Sequence, residues 1–306
     1  MLRFVFRRLL SLVPIMFGAS LLAFFIMHLA PGDPARVLVG PEGTLKDVVR
    51  VRQELGLDRP LPVQYWRFIS GIFDGSLKSM KYDVPAMSLL SERLGNTAVL
   101  AFWSMAFALA VGVPSGVMSA VKRYSWVDYL SSSLALTGVS MPSFWFALIM
   151  ILCFAVKLHW LPSCGMGTWK HVVMPSIVLG SGSAGIIARM TRSSMLDVLC
   201  RDYIGTAKGK GLSTVRIIVG HALRNAMIPT MSVVGLQIGS MLAGAVLVES
   251  VFAWPGVGRL LVDSIIARDY PMVQTVLLAV AMIFVITNLL VDILYGVLDP
   301  RLRHDA

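Results

Sequence analysis

Apolar residues in this chain run on in long blocks separated by short polar stretches, with no sustained alternation. The blocks fall near residues 9–30, 95–121, 130–156, 173–194, 228–250 and 272–297. Crossing roughly 30 Å of hydrocarbon takes about 20 helical residues, so the pattern predicts an all-α polytopic membrane protein with six transmembrane helices and both termini on one side. The long segment 31–94 is different. It carries Lys and Arg nine times and Asp and Glu eight times, and is punctuated by Pro41, Pro60, Pro62 and Pro85. Val48, Val51 and Leu55 recur there at helical spacing, which predicts a folded lobe with a helix near 45–56. The expected organisation is an anchor helix at 1–30, an extracytoplasmic lobe at 31–94, and a core of five transmembrane helices at 95–306 with a cytoplasmic loop at 195–227.

Composition agrees with a membrane protein: 56% of the 306 residues are hydrophobic and 14% charged, where soluble domains carry about a quarter charged. The net charge of +10 is read as topology. With the N-terminus inside, Arg3, Arg7, Arg8, Lys122, Arg123, Arg189, Arg192, Arg201, Lys208, Lys210, Arg216, Arg224, Arg301 and Arg303 are cytoplasmic. The short outer loops keep only Lys157, Lys170, Arg259 and Arg268. Fourteen against four fixes the orientation by the positive-inside rule, and no nucleic-acid partner is expected. Arg7 and Arg8 ahead of an apolar run could open a secretory signal, but about 22 apolar residues exceed an ordinary h-region. Pro31-Gly-Asp-Pro34 also replaces a small-x-small cleavage site, so the first block is expected to be a retained anchor.

Ionisable residues inside spans are costly and default to functional candidates. His28, Glu249 and Asp292 qualify, each near a span boundary, which argues against a proton relay at the midplane. Small residues stand out instead. Gly112, Gly116, Gly235, Gly239 and Gly244, with Asp292, are candidates for tight helix packing or for lining a translocation path, and the residues leave the two readings open. Gly180-Ser-Gly182-Ser-Ala-Gly185 has the letters of a dinucleotide fingerprint without a preceding strand, and Gly205-Thr-Ala-Lys-Gly-Lys210 lacks the Gly-Lys-Ser/Thr ending of a phosphate loop. No catalytic residues and no bound cofactor are therefore expected in this chain. His159, Cys164, Met166 and His171 share one outer loop and carry soft ligands, but their spacing fits no metal motif, and Trp160, Pro162 and Trp169 read as an interfacial cap.

The most informative polar interruption is Arg201-Asp-Tyr-Ile-Gly-Thr-Ala-Lys-Gly-Lys-Gly211, continuing to His221-Ala-Leu-Arg-Asn225. A short basic helix between two spans is a surface on which a soluble partner can dock.

That stretch resembles the coupling loop of binding-protein-dependent ABC importer permeases of the dipeptide, oligopeptide and nickel class. Gly205-Thr206-Ala207 occupies the position of the family's EAA triplet, Gly211 that of its glycine, and His221-Ala-Leu223-Arg224 its end. The Glu of the triplet and the closing Pro are absent. Further matching stretches are Pro31-Gly-Asp-Pro34, Leu55-Gly-Leu-Asp58, Gly138-Val-Ser-Met-Pro142, Trp160-Leu-Pro162, Ala188-Arg-Met-Thr-Arg192, Glu249 to Arg259, Arg268-Asp-Tyr-Pro271 and Asp299-Pro-Arg301. The resemblance covers essentially the whole chain and is nearest to dipeptide, glutathione and nickel permeases. It implies a type I importer in the bacterial inner membrane, with a second homologous permease, two ATPase subunits that hold ATP and Mg²⁺, and an extracytoplasmic solute-binding protein. It further implies ATPase coupling through Asp202, Tyr203, Gly205, Thr206, Ala207, Lys210, Gly211, His221, Leu223, Arg224 and Asn225. Peptides are the expected solutes, with nickel or a metal chelate as the alternative and a non-energised channel or scaffold as a remote one.

Overall fold

The computed structural model describes residues 2–29, 32–40, 43–54 and 56–298. The side chains of residues 2–9, 37, 38, 54, 243 and 292–298 lie outside that description. Pro31, Leu55, Asp299, Arg301 and Arg303 are outside it altogether, as is the side chain of Asp292. The described residues are helical almost throughout, with one isolated antiparallel bridge between Lys78 and Pro85. Among the described residues five helices are long and apolar enough to cross a membrane, or six if a pair bent by 107° counts as one span.

The described residues divide into two compact units: one within 2–96 and 256–286, the other within 97–255 and 287–298. The first takes in the whole of the first helix together with the described part of the segment 31–94. In the first of these units, α1 (Leu2–Leu29), α4 (Leu61–Asp74) and the start of α12 (Tyr270–Leu298) share a core of Phe24, Phe68, Ile72 and Leu278. His28, the polar residue at the end of the first span, accepts its explanation here: Nε2 lies 3.0 Å from Gln64 Oε1. The short helices α2 (Pro34–Val39) and α3 (Leu45–Glu54) are tied by Arg52 donating to Asp33 at 2.6 Å. Val48 and Val51 are half-buried on α3, as their spacing foretold. Asp269, buried in the turn before α12, accepts from Ser79 Oγ at 2.5 Å and from the Lys81 and Met272 amides at 3.2 Å. It staples the loop after α4 to the turn that follows α11 (Val257–Ile266).

The other unit holds α5 (Ala86–Val121) from residue 97 on, a helix that begins nine residues before the expected start of the core at 95. The expected single span 130–156 is instead broken. α6 (Trp126–Ser140) and α7 (Ser143–Met150), the latter prolonged by a π-wound stretch Ile151–Lys157, meet at 107°. Pro142 causes the break: it supplies no N–H, and it pushes Met141 out of helical geometry to φ −78°, ψ 125°. α8 (Trp169–Leu199) and α10 (Arg224–Val251) complete the unit.

Helices pack here through small residues, because lipid tails are as apolar as leucine and offer no hydrophobic gain for association. On α5, Ser104, Ala108, Gly112 and Gly116 recur every four residues, and all are buried. They face Gly180, Ala184 and Ala188 on α8, at the same spacing. A Cβ on Gly112 would lie 2.7 Å from the Ala184 carbonyl, and one on Gly180 would lie 2.5 Å from that of Ser104. Gly116 meets the Ala188 carbonyl in the same way. The letters of the dinucleotide fingerprint are therefore a packing stripe. Gly235 abuts Val291, Gly239 is buried, and Gly244 approaches Leu179 Cδ1 at 3.3 Å, so these glycines too sit in helix seams.

Candidate coupling site

Leu199 ends α8, and a two-residue turn leads into α9 (Asp202–Gly209). Asp202 in its first turn and Lys208 in its last complement the helix dipole. Ile204 and Ala207, one turn apart, are buried, the former completely. They seat α9 on Ala120 of α5, Met195 of α8, and Ile217, Ala222 and Ala226 beyond it. Full burial of an isoleucine is worth about 1.5–3 kcal/mol, enough to hold an eight-residue helix that could not persist alone in water. The following residues Arg216–Leu223 are π-wound and run into α10. Asn225 Nδ2 donates to Tyr203 Oη at 2.9 Å, which ties the two ends of the basic segment together.

The opposite face is open. Arg201, Asp202, Tyr203, Gly205, Thr206, Lys208, Gly209, Lys210, Arg216, His221, Arg224 and Asn225 are all exposed, while Leu223 is half-buried. The two glycines singled out by sequence do different things. Gly211 has φ +73° and caps the helix end, its N–H donating to Lys208 O at 2.9 Å. Gly205 is ordinary helix, and a Cβ there would meet nothing within 4 Å. It leaves a flat place on the exposed side, suited to close approach by another backbone.

Beside this seat lies an ion pair that the sequence reading did not single out. Arg192 donates to Asp128 through Nε at 2.8 Å and Nη2 at 2.9 Å. Ser119 Oγ donates to Asp128 as well, and so does the Tyr124 amide, at 3.0 Å. Asp128 is 4% exposed. One carboxylate thus joins α5, α6 and α8, and its lone pairs are filled. The sequence reading counts Arg192 as a cytoplasmic charge and as the end of a matching stretch, without a partner; a basic residue inside the apolar block 173–194 with an acid at position 128 is the available signal. Glu249, at the end of α10, is fully buried and accepts from Thr97 Oγ1 at 2.7 Å.

The outer-loop sulfur and imidazole groups have separate employments. His171 Nδ1 lies 3.1 Å from both the amide and the hydroxyl of Thr168, forming a capping box at the start of α8. Met166 lines a cavity of about 590 Å³ with Trp103, Trp169 and Trp254. Cys164 is exposed beside Ser163, and His159 sits at φ +54° after the π-wound stretch. Among the described residues no three His, Cys, Asp or Glu are grouped to hold a metal ion.

Two family models match the chain: the binding-protein-dependent transport system inner membrane component over residues 112–304, and the N-terminal part of such a membrane component over 1–110. Among similar proteins, the glutathione transport system permease protein GsiC of Salmonella paratyphi A is 44% identical over 305 residues, covering 99% of this chain and all of the relative. The protein of the same name from Escherichia coli (strain K12) is 43% identical over the same span and coverage. Two solved structures share the fold. The inward-facing MetNI methionine ABC transporter matches with a TM-score of 0.60 at 20% identity, over 70% of this chain and 98% of that one. An amino acid ABC transporter crystallised with histidines gives 0.52 at 15%, over 68% and 94%.

Proposed function

The chain belongs to the inner membrane components of binding-protein-dependent transport systems, and from that premise we propose that it imports short peptides of the glutathione kind and is driven through α9. It is a multi-pass permease of an ABC importer in the bacterial inner membrane. Permease, ATPase and binding-protein components work together in such systems. Here the complement is one second homologous permease, two ATPases that hold ATP and Mg²⁺, and one extracytoplasmic binding protein. The hydrolytic chemistry belongs to the ATPases; this chain contributes half of the route and the lever.

The observation that carries the coupling role is the two-sidedness of α9. Its inner face, Ile204 and Ala207, is packed on α5, α8 and the start of α10, and its outer face is basic and bare around Gly205. A partner pushing on that face moves the ends of spans, because the seat is continuous with them. A helix lodged in a partner's groove is a common recognition mode. The solute reading is carried by whole-length identity of 43–44% to permeases named for glutathione.

The decisive variant is Gly205→Glu, which has free space within its own chain and so spares the fold. The permease should insert at parental levels, while the ATPases no longer co-purify with it and hydrolysis stimulated by loaded binding protein disappears in reconstituted vesicles. Retention of both would remove α9 from the coupling role. For the solute, vesicles holding the complete transporter should accumulate glutathione when given ATP and the binding protein; accumulation of Ni²⁺ alone would replace the peptide reading by the metal one.

A further inference from the structure

Gln237 stands at the middle of α10 and Ser183 at the middle of α8. Ser183 Oγ donates to Gln237 Oε1 at 3.0 Å. Ser240 Oγ, one turn further along α10, lies 3.3 Å from the same oxygen and 2.9 Å from the Gln237 carbonyl. Ser183 is 5% exposed, Gln237 half-buried and Ser240 exposed. The buried Ser183 hydroxyl has no other acceptor among the described residues, so the amide oxygen is the atom turned toward it. Ser183 thus holds Oε1, while the single Ser240 proton is better placed on the Gln237 carbonyl at 2.9 Å, and the Nε2 hydrogens of half-buried Gln237 have no acceptor among the described residues.

An amide with unspent donors is expensive in hydrocarbon, and an intramembrane polar group points to a solute or ion route. A surface meant only for lipid would carry leucine here, as α10 does next door at the exposed Leu236. The glycines of α10 are engaged with Val291 and Leu179, which leaves the Ser183, Gln237 and Ser240 seam as the polar feature at mid-depth between α8 and α10.

We propose that Gln237, oriented by Ser183 and Ser240, contacts the solute midway across the membrane and donates hydrogen bonds to a carboxylate or carbonyl oxygen of a short peptide. The inference rests on the peptide-import reading and sharpens it. The oriented amide offers donors, which suit an anionic or zwitterionic, oxygen-rich solute. One neutral amide oxygen, already engaged by Ser183, is a poor match for a metal cation, which takes several oxygen, nitrogen or sulfur acceptors. A single neutral donor group also suits transit, since a group on a route must release what it holds.

The experiment uses the complete transporter in vesicles with glutathione as the probe. Gln237→Leu removes the donors, Gln237→Asn keeps them, and Gln237→Glu replaces them with an acceptor and a negative charge. Glutathione uptake should fall about tenfold or more in Gln237→Leu, the scale of a lost hydrogen bond to a charged group, and further in Gln237→Glu. Binding-protein-stimulated ATP hydrolysis should stay within about twofold, so that the ATP spent per molecule imported rises, and Gln237→Asn should recover most of the uptake. Parental uptake in Gln237→Leu overturns the proposal and leaves Gln237 as a tie between α8 and α10. Equal loss of uptake and hydrolysis in an assembled complex overturns it too, since the effect would then lie in coupling. The peptide-import reading is judged separately, on whether the parental transporter accumulates glutathione at all.

Discussion

At the scale of single residues, the clearest consequence concerns Asp128. Its carboxylate is 4% exposed and is neutralised by a bidentate Arg192. Removing one partner leaves an uncompensated charge, whereas removing both leaves an apolar contact. Arg192→Ala should therefore cost about 3–5 kcal/mol, and the Arg192→Met, Asp128→Leu double variant far less; thermal unfolding of the detergent-solubilised permease separates the two. The glycines of the coupling segment give a second contrast. Gly211→Ala forces a side chain into left-handed backbone at φ +73°, a cost of roughly 1–2 kcal/mol. Gly205→Ala should instead stabilise by about 0.5–1 kcal/mol, since it has open space and helical backbone. Sequence singled out both glycines but gave them one shared role, because letters carry neither φ nor the space above a residue.

At the scale of elements, α9 is held by its inner face and leaves its outer one open. Ile204→Asp should therefore uncouple the importer although Ile204 touches no partner: a carboxylate in that seat, desolvated among Met195, Ile217 and Ala222, lifts the helix off. Trypsin applied to inside-out vesicles should then cleave after Lys208 and Lys210 much faster than in the parent, with the ATPases no longer retained. Unchanged cleavage would mean that α9 does not depend on this seat. The broken third crossing is the element the hydropathy pattern misread. A run of apolar residues over 130–156 looks like one span, and only the backbone geometry at Met141 and Pro142, with a turn of 107°, shows two helices.

At the scale of the whole molecule, the charge asymmetry predicts which surfaces are reachable. In a background with Cys153, Cys164 and Cys200 replaced by Ser, since Cys164 and Cys200 are themselves exposed, a thiol reagent that does not cross membranes should label Ser76→Cys, exposed after α4, on sealed cells. Gly209→Cys, at the end of α9 and exposed with nothing near its Cβ, should be labelled only once the membrane is opened. Labelling of Gly209→Cys on sealed cells would overturn the orientation. The sequence by itself determined the class, the family and the apolar helices of span length. Each of these follows from local quantities, namely the length of an apolar run and the polar motifs between runs. Only the tertiary structure decided that Arg192 meets Asp128, that Gly112 and Gly116 face Ala184 and Ala188 across a helix seam, and that Ser183 bonds Gln237. Those partners stand 64, 72 and 54 residues apart in the chain, and no periodicity links them. The bilayer makes such long-range polar pairs decisive, because in hydrocarbon a donor or acceptor has no water to fall back on and must find its partner in the protein.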